Sequence, residues 1–160
     1  MPDVSIYVAV ITAGAGVAGA GIPHFAIVAR DVRLAERDRR ERRAAAKRQA
    51  CLDLLRSAGE LRMQVANAAQ YHGDEMGTRL ADVRKSAAAA QLHAVNVALL
   101  APRKLGEPAQ RLAAAASRLA TAAADGTDMR VQEMIRLPDF TELDENFTAF
   151  RQIAVANAGE

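Results

Sequence analysis

Aromatic side chains are scarce in this chain of 160 residues, which has no tryptophan, two tyrosines and four phenylalanines. Apolar residues nevertheless make up 51% of the sequence, and alanine supplies much of that fraction. A core built mainly from large rings is therefore excluded. Any core must come from close approach of helices along small side chains. Because no segment alternates apolar and polar residues with a period of two, the sequence predicts an all-α fold.

Cysteine is represented only by Cys51, which excludes an intrachain disulfide and predicts a small buried apolar side chain. The motifs of common catalytic and cofactor sites are also missing: HExxH, a Cys pair, a Walker loop and GxSxG. His72, Asp74 and Glu75 form a small polar cluster, but an interhelical turn commonly contains such residues. We therefore predict no catalytic, cofactor or metal-binding residue, and a protein that is not an enzyme.

Fixed charge is absent from Val4 to Ala29, a stretch of 26 residues. As a helix it would measure ~39 Å, enough for a hydrocarbon core of ~30 Å. Nine basic and four acidic side chains follow within residues 30–48, a net charge of +5. The positive-inside rule then predicts a single-pass anchor over residues 1–29 in the cell membrane. The N-terminus would lie outside and residues 30–160 would be cytoplasmic.

Small residues lie on every face of this predicted span. They predict close packing of helices within a membrane through Gly14, Gly16, Gly19 and Gly21. A weak homodimer is the expected result. The same residues spell GAGVAG, so a small dinucleotide-binding oxidoreductase is an alternative. It is the less favoured one, because Pro23 follows Gly19 before a crossover helix could fit. A phage-type or toxin-like membrane-active protein is a further alternative, and a role for His24 stays open.

Residues 30–50 are predicted to form a basic, solvated stalk next to the anchor. Arg30, Arg33 and Arg37 lie nearest to the predicted membrane surface, so we expect them to contact lipid headgroups. Nucleic acid is a disfavoured partner, because the arginine run contains no aromatic side chain on which a base could stack.

Residues 51–160 contain four apolar seams with alternating steps of three and four, the spacing of coiled-coil-like helices. Short turns between them predict an antiparallel bundle. Along the chain, the seams contain Cys51, Leu54, Ala58, Leu61, Val65, Ala68 and His72; Met76, Leu80, Val83, Ala87, Ala90, Ala94, Val97 and Ala101; Ala109, Leu112, Ala116, Leu119 and Ala123; and Phe140, Leu143, Phe147, Phe150 and Ala154. Asp139 is predicted to cap the last helix, with Glu142 completing a capping box.

The uncharged segment with its RDVRLAERDRR exit, the break in LLAPRKLGEPAQRLAAAASRL and the closing FTELDENFTAFRQIAVANAG form one arrangement. It resembles small bacterial single-pass membrane proteins that have an Arg-rich stalk, an Ala-rich cytoplasmic helical domain and no known activity. The resemblance implies a fold but no site. Together these patterns predict a membrane-anchored helical interaction or scaffold protein. Its partners would be membrane lipids, a second copy and a protein that the sequence does not identify.

Overall fold

The computed structural model describes residues 4–70, 75–128 and 138–157, with the side chains of 4–29 and 126–128 left aside. Within these ranges the chain is helical and contains no strand, which confirms the predicted all-α class. Helix α1 runs from Val4 to Gln70, α2 from Met76 to Leu100, α3 from Glu107 to Asp128 and α4 from Thr141 to Ala156. The chain divides into two units, residues 1–42 and residues 43–160.

Contacts between side chains in the second unit show how its helices run. Arg62 of α1 pairs with Asp144 of α4, and Lys47, earlier on α1, donates a hydrogen bond at 3.1 Å to the carbonyl of Asn157, just beyond α4. As the position on α1 falls the position on α4 rises, so these two helices are antiparallel. The bundle predicted from the seams is confirmed.

The core follows the predicted seams closely on α1, α2 and α3. Leu54, Leu61 and Val65 of α1 are wholly buried, as are Leu105 and Leu112. Alanines fill the positions between them, and they allow the helices to approach closely. Cys51 is buried among these residues, as predicted. Burial raises the pKa of its thiol, which is an inert apolar group here.

A proline break separates α2 from α3. Ala101 leaves the helical conformation with φ −146° and ψ 61°, and Pro102 begins a short π-helical segment that ends at Gly106. Helix α3 then starts at Glu107, which puts Pro108 in its first turn, where the missing N–H of proline costs no hydrogen bond. Leu105 of the break is wholly buried and seals this end of the core.

The start of α4 differs from the predicted capping box. Asp139 accepts a hydrogen bond at 2.9 Å from the backbone N–H of Thr141, which lowers the pKa of its carboxyl. Glu142 does not reach back to the helix start. It accepts two hydrogen bonds from the guanidinium of Arg118 on α3, and this ion pair lowers the pKa of Glu142. A partner on another helix has replaced the local one.

The three phenylalanines in the seam of α4 differ in how deeply they are buried. Phe150 is wholly buried, whereas Phe140 and Phe147 are only partly buried against the core. Arg62 lies over the ring of Phe140, with its Cζ atom 5.1 Å from the ring centroid, and its bond to Asp144 is bidentate at 2.8 and 3.2 Å. Phe150, and not Phe147, is therefore the ring that anchors α4.

The predicted membrane anchor is not supported. Among the described residues, we find no helix that combines the length and the apolar character needed to cross a membrane. The predicted single-pass topology, with residues 30–160 in the cytoplasm, is therefore wrong. That prediction counted length and absence of charge, but seven alanines and four glycines stand among its 26 residues. Such side chains contribute little apolar surface.

Candidate interaction surface

A row of apolar side chains lies on the outer face of α2, and we call it the α2 stripe: Ala88, Leu92, Val95 and Leu99. Its members follow one another by steps of four, three and four. At ~100° per residue, Leu92 lies about 200° around the helix from the buried Ala90. The stripe therefore points away from the core.

The large side chains of the α2 stripe are well exposed. Leu92 exposes 62% of its surface, Val95 54% and Leu99 76%. Single exposed leucines are common on protein surfaces, but a row of them along one helix is typical of a surface that binds another helix. The outer face of α1 carries a sparser pair, Leu52 and Met63, with exposures of 57% and 60%.

A shallow groove of about 370 Å³ runs between α2 and α3 beside the stripe and shares Ala88 with it. Gln91 and Ser117 join its two walls by a hydrogen bond of 2.8 Å from Nε2 to Oγ. The floor is made of alanines, so an incoming helix could approach the backbone closely. Stripe and groove together form one continuous surface across α2 and α3.

The charges around this surface are mostly positive. Arg84 and Lys85 are exposed at the first end of the α2 stripe, and Arg103 is exposed just beyond the last. Two acidic residues are also near: Asp82 on α2, and Asp125, which lines the groove from α3 together with Arg84. No acidic side chain belongs to the stripe. Arg84 and Lys85 lie at its first end, and Arg103 follows its last residue along the chain, just after α2 ends.

The residues predicted to contact lipid headgroups belong to the first unit. Arg30, Arg33 and Arg37 are exposed on α1, and Arg37 forms an ion pair at 2.9 Å with Glu41, one turn further along. Gly14, Gly16, Gly19 and Gly21 fall within the backbone of α1, but the packing around them lies outside what the structure describes. The predicted packing of these glycines stays a prediction.

The GAGVAG sequence, too, lies within α1, in a helix that continues without a break from Val4 to Gln70. A dinucleotide-binding motif needs a strand, a tight turn and a new helix at this point, and these residues are instead part of one helix. In the part of the chain that the structure describes, no group of three metal-binding side chains comes together. His72 and Asp74 are outside that part, whereas His93 is half-buried on α2.

Sequence reasoning missed the α2 stripe, although its signal is present. The steps from Ala88 to Leu99 match the coiled-coil spacing as well as the buried seam of the same helix does. Comparison with protein-family models, with curated proteins and with solved structures finds no match.

Proposed function

We propose that residues 43–160 are a protein-interaction domain, and that the chain acts as a helical interaction or scaffold protein without catalysis. The observation that supports the proposal is the α2 stripe. Leu92, Val95 and Leu99 are exposed on the face opposite the core, where they contribute little to folding. A row of exposed apolar side chains favours association with another molecule, and without a partner it promotes aggregation.

The spacing of the stripe supports a helical partner rather than a flat surface. Steps of four and three keep the apolar side chains on one side of α2, as in one strand of a coiled coil. A second helix laid along them could insert its own side chains between Leu92, Val95 and Leu99. The predicted lipid contacts of Arg30, Arg33 and Arg37 and the weak homodimer stay separate predictions.

The test compares two variants of the full chain. The first replaces the large stripe residues: Leu92→Gln, Val95→Gln and Leu99→Gln. The second is a matched control on α1, Leu52→Gln with Met63→Gln, because these side chains are exposed to a similar degree. Both sets lie on the surface, so each substitution should change the free energy of unfolding by less than about 0.5 kcal/mol. Chemical denaturation checks this before binding is compared.

Binding is then read by a photo-crosslinking amino acid placed at Asn96, which is exposed beside the stripe. In native cells we expect covalent adducts with one or a few proteins. The adducts should be lost with the stripe variant and kept with the α1 control. If the stripe variant gives the same adducts as the unmodified chain, the α2 stripe is not an interface and the proposal fails.

A further inference from the structure

The charges around the α2 stripe add a second property to the partner. The cations at its two ends, Arg84 with Lys85 and then Arg103, are exposed. A helix that lies along the stripe must pass both ends, because Ala88 and Leu99 are 11 residues apart and span only ~17 Å. A partner helix with acidic side chains next to its apolar row would meet a favourable charge at each end.

A second copy of this chain fits the same surface poorly. Two α2 helices packed side by side in parallel would place Arg84 and Lys85 beside their own copies. Packed antiparallel with Leu92 opposite Val95, they would place Arg84 just past Leu100 of the other copy, next to the segment that carries Arg103. Like charges therefore meet at the ends in both arrangements, which lowers the affinity.

The apolar surface area of the α2 stripe also argues against a symmetric dimer of this chain. At roughly 100 Å² of apolar surface for each large side chain, the three exposed residues supply ~300 Å² per copy and ~600 Å² in a pair. A stable interface buries about 1,000 Å² or more, polar surface included, so the rest would have to come from the flanks of the stripe, where the like charges meet. A separate helix that also enters the groove between α2 and α3 can cover more of this chain, including Gln91, Ser117 and Thr121.

We infer that the α2 stripe and its adjoining groove bind an acidic amphipathic helix of another protein. The apolar row of that helix packs on Leu92, Val95 and Leu99, and its acidic flanks face Arg84, Lys85 and Arg103. This inference rests on the proposed interaction function and specifies the chemistry of the partner.

The experiment uses the full chain and two synthetic helical peptides of about 21 residues, or three heptads. Both carry leucine at alternating steps of three and four. One has glutamate at the remaining surface positions and the other has lysine. Fluorescence anisotropy at low and at high salt measures the affinity of each peptide. We expect the acidic peptide to bind at least about tenfold more tightly than the basic one at low salt, with the difference shrinking as salt screens the charges.

Two pairs of substitutions separate a local effect of charge from a general one. Arg84→Glu with Lys85→Glu should weaken binding of the acidic peptide by at least about fivefold at low salt. Arg56→Glu with Arg151→Glu changes the net charge equally on exposed positions of α1 and α4, and it should have a much smaller effect. The stripe variant should remove the binding of both peptides. Where that triple variant folds poorly, Leu99→Gln alone serves instead.

The possible failures differ from those of the proposed function. Equal binding of both peptides, or equal losses in the two charge variants, would overturn the acidic partner while leaving the crosslinking result intact. Binding that survives the stripe variant would show a diffuse electrostatic attraction and would also overturn the inference. Sedimentation is the last measurement: a dimer that the stripe variant dissociates would make a second copy the occupant.

Discussion

Replacing Phe150 by alanine tests the packing of α4 directly. Phe150 is wholly buried, and it is the largest of the fully buried side chains among the described residues. Truncating a buried phenylalanine to alanine typically costs about 3–5 kcal/mol, because apolar contacts are lost and a cavity remains. The total stability of a domain is only about 5–15 kcal/mol, so this loss is a large part of it.

The size of the thermal shift follows from the size of the folding unit. Residues 43–160 comprise 118 residues, and an unfolding entropy of ~2.1 cal/mol/K per residue gives ~0.25 kcal/mol/K for the unit. A loss of 3–5 kcal/mol then lowers the melting temperature by ~12–20 °C. Differential scanning calorimetry of the full chain measures this shift, and urea denaturation gives the free energy independently.

The matched control is Phe147→Ala, on the same helix and with the same chemical change. Phe147 is only partly buried, so its replacement should cost clearly less than that of Phe150. In the sequence, Phe147 lies in the middle of the predicted seam, which favours a strong loss of stability on its replacement. A loss below about 1 kcal/mol at Phe150, or a larger loss at Phe147, would show that α4 does not pack as described.

Three further predictions follow from single side chains. Acid should destabilise the bundle partly through Glu142 and Asp139. Because their pKa values are lowered in the folded state, both carboxylates stabilise the fold at neutral pH, and that stabilisation is lost as the pH falls through the folded-state pKa. Glu142→Gln should therefore flatten the decline of the urea midpoint below pH ~4. Cys51 should react with a thiol reagent much more slowly in the folded chain than in urea, since it is buried and its pKa is raised; equal rates would contradict its place in the core. Gly59→Ala should stabilise the protein by about 0.5–1 kcal/mol, because Gly59 lies within α1 and an added Cβ would meet nothing within 4 Å; a loss of stability would show a contact that the structure lacks.

The sequence was sufficient to predict the core of α1 to α3, because steps of three and four identify one buried face of each helix. Val83, Ala90, Leu112 and Ala116 were placed on these faces and are all buried. Which phenylalanine of α4 is the most deeply buried was not predictable in the same way. Its stripe is broad, and which ring points at the centre depends on how α4 packs on its neighbours.

The two errors, at α4 and at the anchor, have different causes, and a long-range charge explains only the first. Glu142 has the right spacing for a capping box, but a bidentate bond to Arg118 on another helix is stronger than a local one. Nothing in the order of residues reveals that Arg118 will lie there. The predicted anchor failed for the opposite reason, since an absence of charge was taken as a measure of apolar character.

The outward direction of the α2 stripe is itself a consequence of charge and hydrogen bonding. Helix α2 has two apolar rows, and the buried row is the one with the smaller side chains, because it is rich in alanine. Turning α2 to bury Leu92 instead would carry Lys85, which lies on the same side, toward the core and cost far more than the leucine gains. The buried Ser86 adds a second restraint, because its hydroxyl donates a hydrogen bond at 2.7 Å to Oε1 of Gln64 on α1. The α2 stripe, with the larger side chains, therefore stays on the surface, where another molecule can reach it.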